Sequence, residues 1–215
     1  MIIFLLGKPN SGKGTQALKI VEKYKMVHIN VGEELRSWVS QDQRFIAQKV
    51  EQDLNSGAAV PICIAIKAWM NKLISLSADD SILFEGSPRK LLEAEAMIEY
   101  FDWLKIKTLV IYIDIPDEEI RHRSAIRRYC PKCGRTYSLA FTPDITKCQD
   151  DQSILTIRND DKPEVVENRI KVFHNEIMPT INFFQDHRML HTIDGVGSLE
   201  EVFQRIDQVI KNFLS

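Results

Sequence analysis

The sequence predicts an α/β protein: a doubly wound, parallel, five-stranded sheet with helices on both faces, built around a phosphate-binding loop (P-loop). Three observations carry this. Five short apolar runs are mostly continuous rather than alternating, which is how strands covered on both faces read. Helical patterns lie between the runs, and strands alternating with helices imply parallel pairing through right-handed crossovers. The first run leads straight into the glycine-rich stretch GKPNSGKGTQ, residues 7–16, and then into a helical pattern.

The first strand is IIFLL (2–6). No basic residue precedes it and it stops at Gly7-Lys8, so it is too short for a signal-peptide core. TQALKIVEKY (15–24) places Ala17, Ile20, Val21 and Tyr24 on one helical stripe, and MVHI (26–29) is the second strand. Residues 30–60 hold helical pattern but no strand and read as an insertion. AAVPICIAI (58–66) is the longest apolar run, far short of the ~20 residues that cross a membrane; Cys63 within it reads as core. SILFE (81–85) and TLVIYIDI (108–115) are strands three and four. Arg123 and Arg127 are four apart on a predicted helix and so share a face. Residues 129–158 are poor in helix signal and contain three of the four cysteines, a second insertion. Pro163 opens a helix over 163–177, with Val166, Ile170, Phe173 and Ile177 on one stripe. MLHTI (189–193) is the fifth strand, and LEEVFQRIDQVIKNFL (199–214) is the last helix.

The 215 residues are 44% hydrophobic and 27% charged, with a formal net charge of -2. That is ordinary globular composition and gives no bulk-charge argument for a nucleic-acid or membrane partner. The expected location is the cytoplasm, with the four cysteines reduced or bound to metal rather than paired.

The glycine-rich stretch sits between a strand and a helix, the context that makes a phosphate loop credible. Gly7, Gly12 and Gly14 let backbone N–H groups turn toward an anion, and the following helix aims its N-terminus at the same place. Asn10 tolerates a left-handed backbone. Lys13 reaches the outer phosphates. Gly14 stands where such loops usually carry a hydroxyl, which moves to Thr15, positioned to serve Mg²⁺.

GKPNSGKGTQA resembles the loop of the adenylate kinase family, whose usual form is GxPGSGKGTQ. Further similar segments follow in order: HINVGEELRS (28–37), SG (56–57), EGSPR (85–89), RHRSAIRR (121–128), CPKCGRTY (130–137), RNDD (158–161), ENRI (167–170) and IDG (193–195). The resemblance spans essentially the whole chain. It implies transfer of the γ-phosphoryl group of ATP to a nucleoside monophosphate (NMP), with AMP as the leading acceptor and GMP or UMP/CMP as alternatives. It divides the chain into a core (1–29, 61–127 and 160–215), an NMP-binding insertion (30–60) and a lid (128–159). The adenylate kinase lid is a known example of closure that sequesters a reaction from water, and excluding water prevents ATP hydrolysis.

The resemblance also assigns residues. Arg36 and Arg89 grip the acceptor phosphate, Arg123 and Arg127 the donor phosphates, and Arg158 and Arg169 bridge toward the transferring group. Lys13, Arg89, Arg127, Arg158, Arg169 and Glu85 form the catalytic set, Glu85 acting on Mg²⁺ through water. Asn10, Ser11, Gly12, Lys13, Gly14, Thr15, Arg123, Arg127, Thr136, Tyr137 and Gly197 contact ATP. Val31, Arg36, Ala58, Ala59, Val60, Gly86, Ser87, Pro88, Arg89, Glu93, Arg158 and Arg169 contact the NMP. Assembly as a monomer is the family expectation.

Cys130-x₂-Cys133 is followed, after fourteen residues, by Cys148-x₂-Asp151. Two such knuckles resemble a structural zinc site with one carboxylate ligand, and family lids carry ligands at these positions. Asp150 is the adjacent alternative to Asp151; three free thiols or a redox pair are the other readings. The acceptor side departs from the family at Val31, Ser87 and Glu93, where Thr, Phe and Gln are usual. Glu93 either faces the acceptor base, where a carboxylate only accepts hydrogen bonds, suits guanine's adjacent donors better than adenine's donor–acceptor edge and relaxes or shifts specificity away from AMP, or turns outward and leaves adenine to backbone groups; the outward position is the plainer expectation. Ile126 replaces a Gly, without a functional account. The contrasting class is a nucleotide-dependent binding module, its P-loop a switch and its knuckle a contact surface.

Overall fold

A computed structural model describes residues 1–77 and 79–215 of the chain. Five parallel strands form the central sheet in the order β2-β3-β1-β4-β7. They are β1 (Ile2–Gly7), β2 (Val27–Asn30), β3 (Ile82–Glu85), β4 (Thr108–Asp114) and β7 (Leu190–Asp194), each within a residue or so of the apolar runs. The central strand β1 shows why those runs are continuous. Ile2, Phe4 and Leu6 enter one core with Phe84, Phe101, Trp69 and Phe184, while Ile3 and Leu5 enter a second with Ile20, Ile206 and Ile210. Period-two side chains with both faces buried leave no polar position.

Helices α1 (Lys13–Tyr24) and α9 (Leu199–Leu214) cover the second face. Helix α9 begins with a capping box: Ser198 accepts from the Glu201 N–H at 3.3 Å, and Glu201 accepts from the Ser198 N–H at 2.7 Å. On the other face lie α4 (Ile62–Leu73), α5 (Leu91–Trp103) and α8 (Met178–Asp186), with α2 (Val31–Gln41) and α3 (Phe45–Ser56) packed beyond them.

The structure corrects three expectations. Cys63 is exposed. The apolar run 58–66 is broken by Pro61 and continues as α4, whose buried stripe is Ala65, Trp69 and Leu73; Cys63, two residues from Ala65, falls roughly 200° round the helix. The expected helix 163–177 is α7 (Pro163–Val172), then a π-turn at Phe173–Ile177, then α8. Pro179 has no N–H to donate one turn back, and the widened turn lies just before it. Its extra residue rotates the buried face, so Val166 and Ile170 pack on Ile115 and Ile120, while Phe173 enters the main core. Finally, α6 (Asp117–Ile126) stops before Arg127, which has extended φ/ψ of -76°/138° and starts β5 (Arg127–Tyr129). Arg123 and Arg127 therefore do not share a helix face.

Strand β5 pairs antiparallel with β6 (Thr136–Ser138), a small hairpin outside the main sheet. Its own core is Cys130, Tyr137, Cys148 and Leu155. Among the described residues, no helix is long and apolar enough to cross a membrane.

Candidate active site

The loop between β1 and α1 is built as its residue types require. Gly12 has φ 88° and Asn10 φ 55°, both left-handed. Gly7 has no room for a side chain: a Cβ there would lie 2.7 Å from the Ile113 carbonyl oxygen and 2.8 Å from Ser11 Oγ. Ser11 Oγ is itself buried without a hydrogen-bond partner among the described residues, a hydroxyl available to an anion in the loop. Lys13 Nζ donates to the carbonyl oxygens of Gly7 at 2.8 Å and Lys8 at 2.7 Å. Burial, aided by Arg169, Arg89 and Arg127 against the pull of Glu85, lowers its pKa from 10.5 to about 7.

Two side chains of the loop point away from its cavity. Lys8 reaches the Ile115 carbonyl at 2.8 Å and pairs with Asp114 (3.2 Å) and Asp117 (3.3 Å). Asn10 donates to Ser124 Oγ and to Asp161 Oδ1, the latter at 3.2 Å. These bonds tie the loop to α6 and to the turn ahead of α7.

Arg127 forks onto Asp161, Nε–Oδ2 2.7 Å and Nη2–Oδ1 2.6 Å, and the Asp161 side chain is fully buried. Arg169 Nη1 lies 3.2 Å from Asp160 and Arg158 Nε 3.6 Å from the same carboxylate. Burial opposes the charge of Asp160, but Arg169, Arg158 and Arg127 outweigh it and hold the carboxyl below its usual range. Arg158 also sits over the Tyr129 ring, 4.8 Å from its centroid. Arg123 instead bonds Glu119 (2.6 Å) and the Gly195 carbonyl (3.0 Å), beside the turn that contains Gly197.

Arg89 Nε donates to the Gly86 carbonyl at 3.0 Å. Burial first, and then Arg36, pushes its pKa down against Glu93 and Glu85; Arg36 is lowered by burial and by Arg158. Burial, with Arg89 and Arg127, brings Arg169 to about 10, still charged at neutral pH. Gly57 lets Arg169 pass: a Cβ at its φ of 78° would come 2.6 Å from Arg169 Cγ.

Two adjoining clefts share Gly57, Gly86, Arg89 and Arg169. One contains Gly7, Pro9, Lys13 and Pro88. The other, with about 690 Å³ of empty space open to solvent, takes in Val31, Arg36, Ala58, Ala59, Val60, Ser87 and Glu93.

Glu93 overturns its expected outward position. It is 2% exposed, accepts from Ser87 Oγ, and accepts from the Arg89 N–H at 2.8 Å. Its place one turn into α5 puts it on the buried face with Ala94 and Met97.

Glu85 at the end of β3 is held at Oε2 by Asn30 Nδ2 (3.1 Å) and His28 Nε2 (3.1 Å). Its Oε1 lies 3.4 Å from where a Gly14 Cβ would be, over the first turn of α1. Sequence reasoning did not select Asn30, His28, Asp160 or Asp161. The first two follow from strand register, Asn30 beside Glu85; the two aspartates lay within RNDD but were passed over for its arginine.

In the hairpin, Cys130, Cys133, Cys148 and Asp151 bring their ligand atoms within 4.8 Å of one another. Cys133 Sγ and Cys148 Sγ are 3.5 Å apart, and Cys130 Sγ is 3.4 Å from Asp151 Oδ2. Tetrahedral zinc with thiolates spaces ligand sulfurs by roughly 3.8 Å, so the donor set fits. The Ser153 N–H, 2.9 Å away, is the main cause that brings Asp151 to about 2. Asp150 pairs with Arg135 at 2.6 Å instead. Tyr137 turns its hydroxyl to Cys148 Sγ at 3.3 Å, whereas Thr136 is exposed.

A lysine-bearing phosphate loop facing a set of mostly half-buried arginines across two joined clefts is arranged as in a phosphotransferase with two phosphate-bearing substrates. The adenylate kinase family model matches residues 5–189. The chain is 35% identical over 216 residues to an adenylate kinase of Methanothrix thermoacetophila, covering 99% of this chain and 100% of that one. It is 36% identical to one of Lachnoclostridium phytofermentans, and 35% identical to one of Mesomycoplasma hyopneumoniae, each over 96% of both chains. The chain belongs to the adenylate kinase family, and its chemistry is that of a nucleoside monophosphate kinase. Similarity over nearly the full length leaves the binding-module reading without support.

Proposed function

We propose the following division of labour for the phosphoryl transfer from ATP to AMP that family membership gives this chain. The donor phosphates lie in the loop from Asn10 to Thr15, with Lys13 on the group that moves and Arg123 and Arg127 beside it. AMP lies in the neighbouring cleft with its phosphate on Arg36 and Arg89. Arg169 and Arg158 stand between the two. The observation that carries this is the meeting of the two clefts at Gly57, Gly86, Arg89 and Arg169.

Phosphoryl transfer needs positioning and electrostatic stabilisation more than covalent chemistry. Planar, permanently charged guanidinium groups held by carboxylates supply both. Glu85 and Thr15 are the residues that would hold Mg²⁺, and the ion when bound neutralises phosphate charge. Cys130, Cys133, Cys148 and Asp151 would hold zinc in a structural role, because the hairpin is too small to stand on its own core.

Residues 128–159 serve as a lid and 30–60 as the acceptor-side cover. The separate core of the hairpin, and its junction at Arg127 and Asp161, support this reading. A monomer is the reading that family resemblance supports, and three cysteines gathered with Asp151 as metal ligands, rather than spaced as a disulfide framework, fit the cytoplasm. A coupled assay tests the whole: ATP consumption requires AMP and yields two ADP per turnover. Consumption indifferent to any NMP overturns it.

A further inference from the structure

The acceptor cleft has a phosphate end and a base end. Arg36 and Arg89 mark the first; Val31, Leu35, Leu54, Val60 and Ala65 wall the second. At the base end stand two buried polar side chains in contact, Ser87 (fully buried) and Glu93 (2% exposed). Ser87 Oγ donates to Glu93 Oε1, and the Arg89 N–H donates to Oε2 at 2.8 Å. Among the described residues Glu93 forms no ion pair.

A carboxylate offers about four lone-pair sites and no proton. Two are taken here, and the rest are open to a ligand. Ser87 has one proton, and in this arrangement Glu93 takes it. The pair therefore presents the cleft with acceptors only. Adenine asks for something else. Its edge carries the N6 amino donor beside the N1 acceptor, and N1 against a carboxylate lone pair would be buried unsatisfied, a costly state.

We propose that Ser87 and Glu93 read the acceptor base as one unit, with the Ser87 proton as the donor that the carboxylate lacks. On AMP the hydroxyl turns from Glu93 to adenine N1, and Glu93 accepts from the N6 amino group. Glu93 gives up one hydrogen bond and gains one, so the exchange costs little. On a guanine edge, where N1–H and the 2-amino group are adjacent donors, the hydroxyl stays on Glu93 and the open sites of the carboxylate accept from both. The cleft thus also receives GMP, and only adenine needs the hydroxyl to turn. This rests on the cleft being the acceptor site, as proposed above.

The test is a KM panel for AMP and GMP with saturating ATP, GMP being scored as a competitive inhibitor against AMP where its turnover is slow. Wild-type ATP consumption that needs no NMP would sink the acceptor-site reading itself, before any variant is made. Ser87→Ala should raise KM for AMP at least tenfold and leave the GMP constant within about twofold, because only adenine needs the lost proton. Glu93→Gln in the Ser87→Ala background should restore AMP, since an amide both donates and accepts, and should weaken GMP. Ser87→Thr keeps the hydroxyl and controls for folding; it should keep the AMP preference. An unchanged AMP constant in Ser87→Ala, an equal loss of AMP and GMP, or no rescue by Glu93→Gln overturns the proposal.

Discussion

ATP binding above neutral pH should take up a proton at Lys13. In the free protein, burial and the neighbouring arginines lower this amine from 10.5 to about 7. At pH 8 it is then roughly nine-tenths neutral. Phosphates in the loop replace the missing counter-charge and return Lys13 to its charged form. Binding at pH 8 should therefore take up about 0.9 of a proton, and affinity should fall toward tenfold per pH unit above 7. The same shift bears on folding. The unfolded amine holds its proton up to about 10.5 and the folded one only to about 7. Burying the charge costs on the order of 5 kcal/mol below pH 7. That cost fades as pH rises through 7 to 10.5, so this group makes the empty protein more stable at alkaline pH. Calorimetry of MgATP binding at pH 8, in two buffers of different ionisation enthalpy, gives the proton count directly. Uptake below about 0.3, or affinity flat from pH 7 to 9, refutes the reasoning.

Asn10→Ala should destabilise the protein by about 2–3 kcal/mol, through two lost side-chain hydrogen bonds and an unfavourable left-handed alanine; Asn10→Gly should cost about 1 kcal/mol less because its backbone is unstrained. Equal midpoints in denaturant would show that the φ of Asn10 is not a source of strain. Gly57→Ala forces a Cβ to 2.6 Å from Arg169 Cγ, so kcat should drop at least about tenfold through a displaced guanidinium; unchanged turnover would show Arg169 free to yield. Metal analysis should find about one zinc per chain, and chelation should lower Tm by several degrees; a metal-free protein with unchanged Tm counts against the zinc assignment.

The sheet was legible because its cause is local: a strand buried on both faces must be apolar throughout. The phosphate loop was legible for a related reason, since its glycines and its left-handed Asn10 answer to backbone geometry that neighbours set. What escaped depends on contacts that the local pattern does not set. Arg123 and Arg127 look like a helical pair until Asp161, 34 residues from Arg127, draws that guanidinium to the start of the hairpin. Resemblance places Glu93 on the acceptor side, yet the pattern of α5 gives no sign that its carboxylate is buried against Ser87, six residues back, rather than turned outward. Cys63 erred the other way: apolar neighbours suggested core, and only the phase of α4, set by Pro61, turns it outward.

The arginines of this site are crowded enough to repel one another, so something must hold them before any nucleotide arrives. Asp160 and Asp161 do this without occupying the ligand's place. Asp161 takes the Nε and one Nη2 donor of Arg127. A guanidinium has five N–H donors, so three remain for a phosphate. Asp160 likewise touches Arg169 through Nη1 alone, at 3.2 Å. The carboxylates thus fix position, while burial first and the neighbouring arginines second lower the pKa values of Lys13, Arg36, Arg89 and Arg169 and leave the site short of negative charge. The unmet demand for negative charge sits where the two clefts join. On the proposed division of labour, two nucleotides brought there would supply it together, and the phosphoryl group in transit, with charge spread over its outer oxygens, would meet Arg127 and Arg169 already held by Asp161 and Asp160.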